Sequence, residues 1–412
     1  MFPPAFACKG FCRFPSAIFA TIAVYVFAAT PLEVAPVFAQ GQPAFPAKRS
    51  DLRRALPITK FYETPTPLPA GKPGELIRSE PSEDYYLSAD FSAFRILYHS
   101  RSASGEDVAA SGVVLVPEGT PPAGGWPVIA WAHGFSGAAR QCAPSLMRNL
   151  YHGPFLSMYV NLGYAVVATD YTGLGTNFRN AVVDVPSNAT DVIYSIPAAH
   201  AAVPHLGSRW VAMGPSLGAN VAIGVAEMES AIRDPGYLGS IAIAGVADLQ
   251  DVYERLAKGQ SRWMFELLAY GIKTVYPEFN IRDMLTEKAL STYPEVEQSC
   301  GGASDSTEVS ASEMLKQNWK DNKFVEEFLS RNKLGQKLAY GPLLVISDDG
   351  DPAVPPSMTA QAVAHMCKQG DRVQIDKFSD PEPGLVIGDS VRDQMSWIEG
   401  RFAGRAAQNN CP

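Results

Sequence analysis

The stretch Arg209-Trp210-Val211-Ala212-Met213-Gly214-Pro215-Ser216-Leu217-Gly218 decides the reading of the fold. Within it, Trp210–Met213 form a short, continuous apolar run, which is how a strand buried on both faces reads. Residues 219–228 then have the composition of a helix. Between the two, Gly214-x-Ser216-x-Gly218 matches the sharp turn that lifts a serine hydroxyl above a sheet. Glycines two positions either side let strand and helix pass closely without a Cβ clash. The hydroxyl then stands near the positive end of the helix dipole. The pentapeptide alone is common by chance. Its place between a buried strand and a helix makes Ser216 a candidate nucleophile rather than part of an ordinary turn.

Outward from this turn, short apolar, β-branched runs recur at 128–132, 165–169, 241–243, 343–346 and 373–378, with candidate helices between most of them. Strands alternating with helices predict an α/β fold with a mostly parallel, doubly wound sheet. Earlier, 94–98 and 112–116 read as two strands joined through the polar turn Ser104-Gly105-Glu106-Asp107. Residues 251–339 break the alternation. They carry amphipathic helical stretches at 251–257 and 324–331, a polar linker at 300–306 and no convincing strand. A helical insertion there would sit over the C-terminal ends of the strands, where such folds bind ligands, and reads as a cap. The expected organisation is an export signal at 1–39, an extended Pro-rich arm at 40–89, a core at 90–250 and 340–412, and the cap at 251–339.

Two more loops carry chemistry. After the strand at 128–132 comes His133-Gly134-Phe135-Ser136-Gly137. Acyl transfer needs N–H donors aimed at a developing oxyanion. The residue after the nucleophile, Leu217, supplies one, and Phe135 in this loop is the candidate for the other. His133 in such a turn more often shapes the loop than acts as base. The third loop, Ser347-Asp348-Asp349-Gly350-Asp351-Pro352-Ala353-Val354-Pro355, follows a buried strand. One carboxylate in such a loop orients the base histidine, and Asp351 fits best. Ser216 and Asp351 should therefore share one end of the sheet.

Hydrophobic residues make up 46% and charged residues 18%, the balance of a well-buried globular chain. The net charge of −8 without any Lys/Arg block argues against nucleic acid as a partner. Lys9 and Arg13, the apolar run 18–29 and Val37-Phe38-Ala39 read as a cleaved export signal. The run is short for a membrane span of about 20 residues, and no later segment is long and apolar enough. A secreted chain, extracellular or periplasmic, is expected, with no integral span once the signal is removed. Cys142, Cys300, Cys367 and Cys411 would remain, an even number with three possible connectivities. The pairing expected here is Cys142–Cys300 and Cys367–Cys411. No two of the four have close metal-ligand spacing, and the acidic loop lacks EF-hand spacing. No metal or other cofactor is expected.

Together, Ala130-Trp131-Ala132-His133-Gly134 with Cys142-Ala143-Pro144-Ser145, then Gly163-Tyr164-Ala165-Val166-Val167-Ala168-Thr169-Asp170-Tyr171-Thr172-Gly173-Leu174-Gly175, and Trp397-Ile398-Glu399-Gly400-Arg401-Phe402-Ala403-Gly404 resemble the secretory lipase family of the α/β-hydrolase superfamily. The resemblance runs from about residue 90 to 411. It implies an α/β-hydrolase fold, a triad in the order Ser, Asp, His, a helical cap, and carboxylic ester or triacylglycerol substrates. The chain departs from that pattern in three places. Pro215 stands where the family usually has a larger or more polar residue, and Ala219 where it often has glycine. Counting back from Trp397, the family's His-Gly step falls on Pro383-Gly384. Proline cannot carry a proton on its side chain. Glu382 is a weak substitute, as is Asp380, because a carboxylate near pKa 4 is a poor base for a hydroxyl unless burial raises it. His99, His152, His200, His205 and His365 read as structural. The expectation is a serine ester hydrolase acting on small-molecule or lipid esters. The alternative is a catalytically impaired descendant, a pseudoenzyme or binding protein.

Overall fold

A computed structural model describes residues 55–259, 263–300, 310–351, 353–379 and 386–411. The expected export signal and Asp380, Glu382 and Pro383 lie outside the described residues. Among the described residues are nine strands: β1 (Leu76–Pro81), β2 (Phe91–Arg101), β3 (Asp107–Pro117), β4 (Trp126–Trp131), β5 (Ala165–Thr169), β6 (Leu206–Pro215), β7 (Tyr237–Ile243), β8 (Leu343–Asp348) and β9 (Val373–Phe378). They form one sheet in the order β1-β2-β3-β5-β4-β6-β7-β8-β9. From β5 across to β9 every pairing is parallel, and β1, β2 and β3 add an antiparallel edge. This is the mostly parallel sheet that the alternation of runs predicted. All residues of β5 and β8 are buried, which is why they read as continuous apolar runs rather than alternating ones.

The hairpin is longer than its apolar runs indicated. Phe91 pairs with Pro117 and Arg101 with Asp107, with every residue between in register. The flanks were masked by polar residues that the fold satisfies internally. Ser111 Oγ donates to Asp170 at 2.6 Å, and Ser100 Oγ donates to Asp191. Arg95, buried inside β2, donates to Tyr85, Glu80 and Asp84. The segment read as an extended arm contributes β1, half-exposed and paired with β2. It also buries Phe61 and Tyr62 in the core.

Two apolar layers cover the sheet. Helices Gly153–Asn161 and Val391–Phe402 pack on one face with Trp131, Met213 and Ile243. Helices Val185–Ala202, Leu217–Ile232 and Pro356–Gln369 pack on the other with Ala130, Ala212 and Val345. Asp184 caps the helix Val185–Ala202 through Ser187 N–H, with Pro186 in the first turn, where its missing N–H costs nothing. Between β7 and β8 lie the helices Leu249–Leu256, Trp263–Val275, Glu287–Val296, Ala311–Met314 and Lys323–Arg331. They form a third apolar cluster that also takes in Phe135, Val182 and Val183 of the core. Cys142–Cys300 ties this insertion to the loop after β4, and Cys367–Cys411 ties the tail to helix Pro356–Gln369. These are the pairings expected from the sequence.

Candidate active site

The chain runs from β4 to β5 on one side, then crosses to β6 on the other side of β4. Such a reversal leaves a crevice at the strands' C-terminal ends. The loops after β4 and β6 meet there. Ser216 follows β6 and is the N-cap of helix Leu217–Ile232, at φ 56° and ψ −124°. That left-handed backbone is sparsely populated by residues with a Cβ, and strain of this kind gathers at functional sites. It is held by Ser216 N–H donating to Ile243 O and by Ala219 N–H donating to Ser216 O, each at 2.9 Å. Ser216 is exposed although the residues before it are buried.

The glycines of the turn are required by the end of β4. A Cβ on Gly214 would lie 2.1 Å from Ala132 O, and one on Gly218 2.0 Å from the same oxygen. Ala132 leads directly into His133-Gly134-Phe135, so the contact that permits the turn also fixes the neighbouring loop against it. A Cβ on Gly134 would stand 3.5 Å from Ser216 Cβ. Phe135 is buried, its carbonyl accepts Tyr151 Oη at 2.6 Å, and its ring stacks on Trp263 of the insertion at 5.3 Å. Leu217 begins the helix, so its N–H is one of the donors a helix leaves unpaired.

In the third loop, Pro215 of β6 is level with Ile243 of β7, which is level with Ile346 of β8. The loop carrying Asp351 therefore leaves the same edge of the sheet as Ser216, from a strand two spacings, about 10 Å, away. Its Oδ1 accepts N–H of Ala353 at 2.8 Å and of Val354 at 3.0 Å. Its Oδ2 has no hydrogen-bond partner among the described residues. Burial raises its pKa and the two backbone bonds oppose that. Asp348 is buried and accepts Gly350 N–H, and exposed Asp349 accepts Ser379 Oγ.

His133 is stacked on Tyr171 at 4.2 Å, with Nδ1 against Gly134 O and Nε2 against Asp170 O. Burial lowers its pKa to about 4. Both nitrogens are turned to backbone, as expected of a loop-shaping histidine. His99 is bound to Asp107, and His365 Nδ1 faces Leu334 O. His152 stands apart from the rest. It precedes helix Gly153–Asn161 and its Cε1 lies 3.9 Å from the position of a Gly134 Cβ. The sequence reading grouped it with the packing histidines. Its closeness to the serine turn depends on a bend at Leu150 and Tyr151 that local pattern does not announce.

A family model, described as secretory lipase, matches residues 151–410. The chain belongs to the secretory lipase family. No curated protein matches the sequence. Similar solved structures include Candida antarctica lipase A in its closed state, at TM-score 0.73 and 17% identity, covering 87% of this chain and 89% of that one. They include the rice cell wall degrading esterase LipA from Xanthomonas oryzae in a ligand-bound form, at 0.65 and 17%, covering 81% and 98%. A putative hydrolase from Legionella pneumophila matches at 0.66 and 18%, covering 81% and 100%. At these identities the likeness establishes the fold. Two departures from the usual secretory lipase pattern are absorbed by packing: Pro215 ends β6 in a buried position and Ala219 is fully buried beneath the serine. Among the described residues, no helix is long and apolar enough to cross a membrane, and no three His, Cys, Asp or Glu side chains group as metal ligands.

Proposed function

We propose that this secretory lipase family member is an exported serine hydrolase that cleaves carboxylic esters, lipid esters among them, through Ser216. The observation that carries the reading is the strained, solvent-open serine between a helix N-terminus and the Gly134-Phe135 turn. In this reading Ser216 Oγ bonds to the ester carbonyl carbon, and the carbonyl electron pair moves onto oxygen. N–H groups of Phe135 and Leu217 receive that oxyanion. The alcohol departs with a proton and water then cleaves the acyl-enzyme. Asp351 is the acid position of the family's triad, left without the imidazole it would orient. The insertion 251–339 is the cap, and Trp263 against Phe135 makes it one wall of the acyl site. Two disulfides are consistent with export past a signal at 1–39. The names of the structural neighbours, a lipase and an esterase, fit the same substrate class.

Pro383 supports the second reading, an impaired hydrolase, because the family's base position holds no titratable group. The two separate in one assay of p-nitrophenyl butyrate turnover. The hydrolase reading expects turnover that Ser216→Ala abolishes. Wild-type turnover no faster than that of Ser216→Ala would leave the impaired reading standing.

A further inference from the structure

His152 is more than nine-tenths buried, and its Nδ1 is fully buried without a hydrogen-bond partner. Buried polar atoms are nearly always paired, so each exception needs a reason. Its ring is gripped edge-on by Trp131 at 5.4 Å and Tyr151 at 4.3 Å. The backbone delivering it is strained: Leu150 and Tyr151 both adopt left-handed φ, 50° and 65°. Two consecutive residues with a Cβ in that region cost free energy that ordinary packing of an imidazole would not require.

One point in space ties this ring to the serine. A Cβ on Gly134 would touch both, at 3.5 Å from Ser216 Cβ and 3.9 Å from His152 Cε1. Oγ is one bond from the first atom and each ring nitrogen one bond from the second. The two atoms therefore lie within about 7.4 Å of each other, a span that Oγ and a ring nitrogen can close directly or across one water. The family's base loop also ends beside this helix. Helix Val386–Asp389, which begins three residues after Pro383, meets Phe155, one turn beyond His152 and 3.9 Å from a Cβ on Gly388.

We propose that His152 is the base that accepts the Ser216 proton, in place of the histidine lost at Pro383. The proposal rests on the ester hydrolase reading. As Oγ bonds to the carbonyl carbon, the hydroxyl proton passes to an imidazole nitrogen. It leaves on the alkoxide when the carbon–oxygen bond breaks, and water repeats the sequence to free the acid. Burial lowers its pKa to about 3, which keeps the ring neutral with its lone pair free but makes it a weak base until charge on the oxyanion favours the imidazolium. No hydrogen bond joins it to a carboxylate among the described residues, so the imidazolium lacks the support a triad supplies. Turnover below that of a complete triad follows.

The test uses the purified full chain, p-nitrophenyl butyrate and the variants Ser216→Ala, His152→Gln and His152→Ala. Ser216→Ala is expected to remove turnover. His152→Gln is expected to lower kcat by at least about a hundredfold, the span of general base catalysis, with a thermal midpoint near that of the wild type. Added imidazole is expected to restore part of the activity of His152→Ala, which a packing role would not do. If Ser216→Ala is inactive while His152→Gln stays within threefold of wild type, the base assignment is overturned and the hydrolase reading stands. Loss of activity that imidazole does not restore also overturns it. Turnover indifferent to Ser216→Ala overturns both. Because His152→Ala leaves a cavity, a fluorophosphonate labelling rate on His152→Gln serves as the second readout: an unchanged rate refutes the proposal.

Discussion

A methyl group placed on Gly218 would press on the atom that couples the serine turn to the loop after β4. Its carbon would lie 2.0 Å from Ala132 O, 2.8 Å from Ala132 C and 3.0 Å from His133 O. An unstrained carbon–oxygen contact needs about 3.3 Å, so helix and loop must separate by about 1.3 Å. All three atoms are backbone, and no side chain can swing away to relieve them. The separation falls between Leu217 and Phe135, the two proposed oxyanion donors. A misplacement of about 1 Å costs on the order of a hundredfold in rate, and overpacking of this kind costs about 1–3 kcal/mol of stability. Gly218→Ala should therefore lose about two orders of magnitude in kcat/KM toward p-nitrophenyl butyrate and melt several degrees lower. Gly259→Ala is the control, since its Cβ would meet nothing closer than Leu256 O at 3.8 Å. If Gly218→Ala matches wild type in both rate and melting, the contact does not hold the turn and the geometric reasoning is wrong.

Other expectations follow from the same structure. Replacing both Cys142 and Cys300 by serine should cost about 5 kcal/mol, and replacing Cys367 and Cys411 about 4 kcal/mol, from the entropy of loops with sequence separations of 158 and 44; denaturant titrations that reverse this order would contradict it. Burial lifts Asp170 to about 6 against the pull of Ser111 and Ser145 hydrogen bonds, so between about pH 4 and 6 the folded chain holds a proton that the unfolded chain has lost. Its contribution to stability thus falls as pH rises through that window, and Asp170→Asn should flatten the measured slope by about one proton, leaving that of Asp191, also raised to about 6. Pro383→His returns an imidazole to the family's base position and should raise kcat/KM by about tenfold; an unchanged rate would mean that the loop no longer directs residue 383 at Ser216.

The sequence made the centre of the molecule legible and the periphery less so. β5, β8 and the Trp210–Pro215 part of β6 are buried on both faces, so their apolar runs stood out and marked the place of the Gly-x-Ser-x-Gly turn. β1 did not stand out. Arg78, Ser79 and Glu80 lie on a half-exposed edge strand, and its place depends on pairing with β2 rather than on its own pattern. The ends of β2 and β3 were hidden by serines whose hydrogen bonds run to Asp170 and Asp191, some 59 and 91 positions away. His152 was hidden for the same reason. A histidine before a helix has no local mark distinguishing a packed ring from one beside a serine turn 64 positions on. The ring comes near the serine turn where Gly134 leaves room and Leu150 and Tyr151 take left-handed backbone.

The most direct test of the central claim, that Ser216 is a nucleophile, is mass spectrometry of the purified chain after reaction with a fluorophosphonate. Such reagents bond to serines activated for acyl transfer. The account predicts one adduct per chain, on the peptide containing Ser216, formed in step with loss of ester turnover and absent from Ser216→Ala. An adduct on another residue, or ester turnover that persists with Ser216 fully modified, would contradict it.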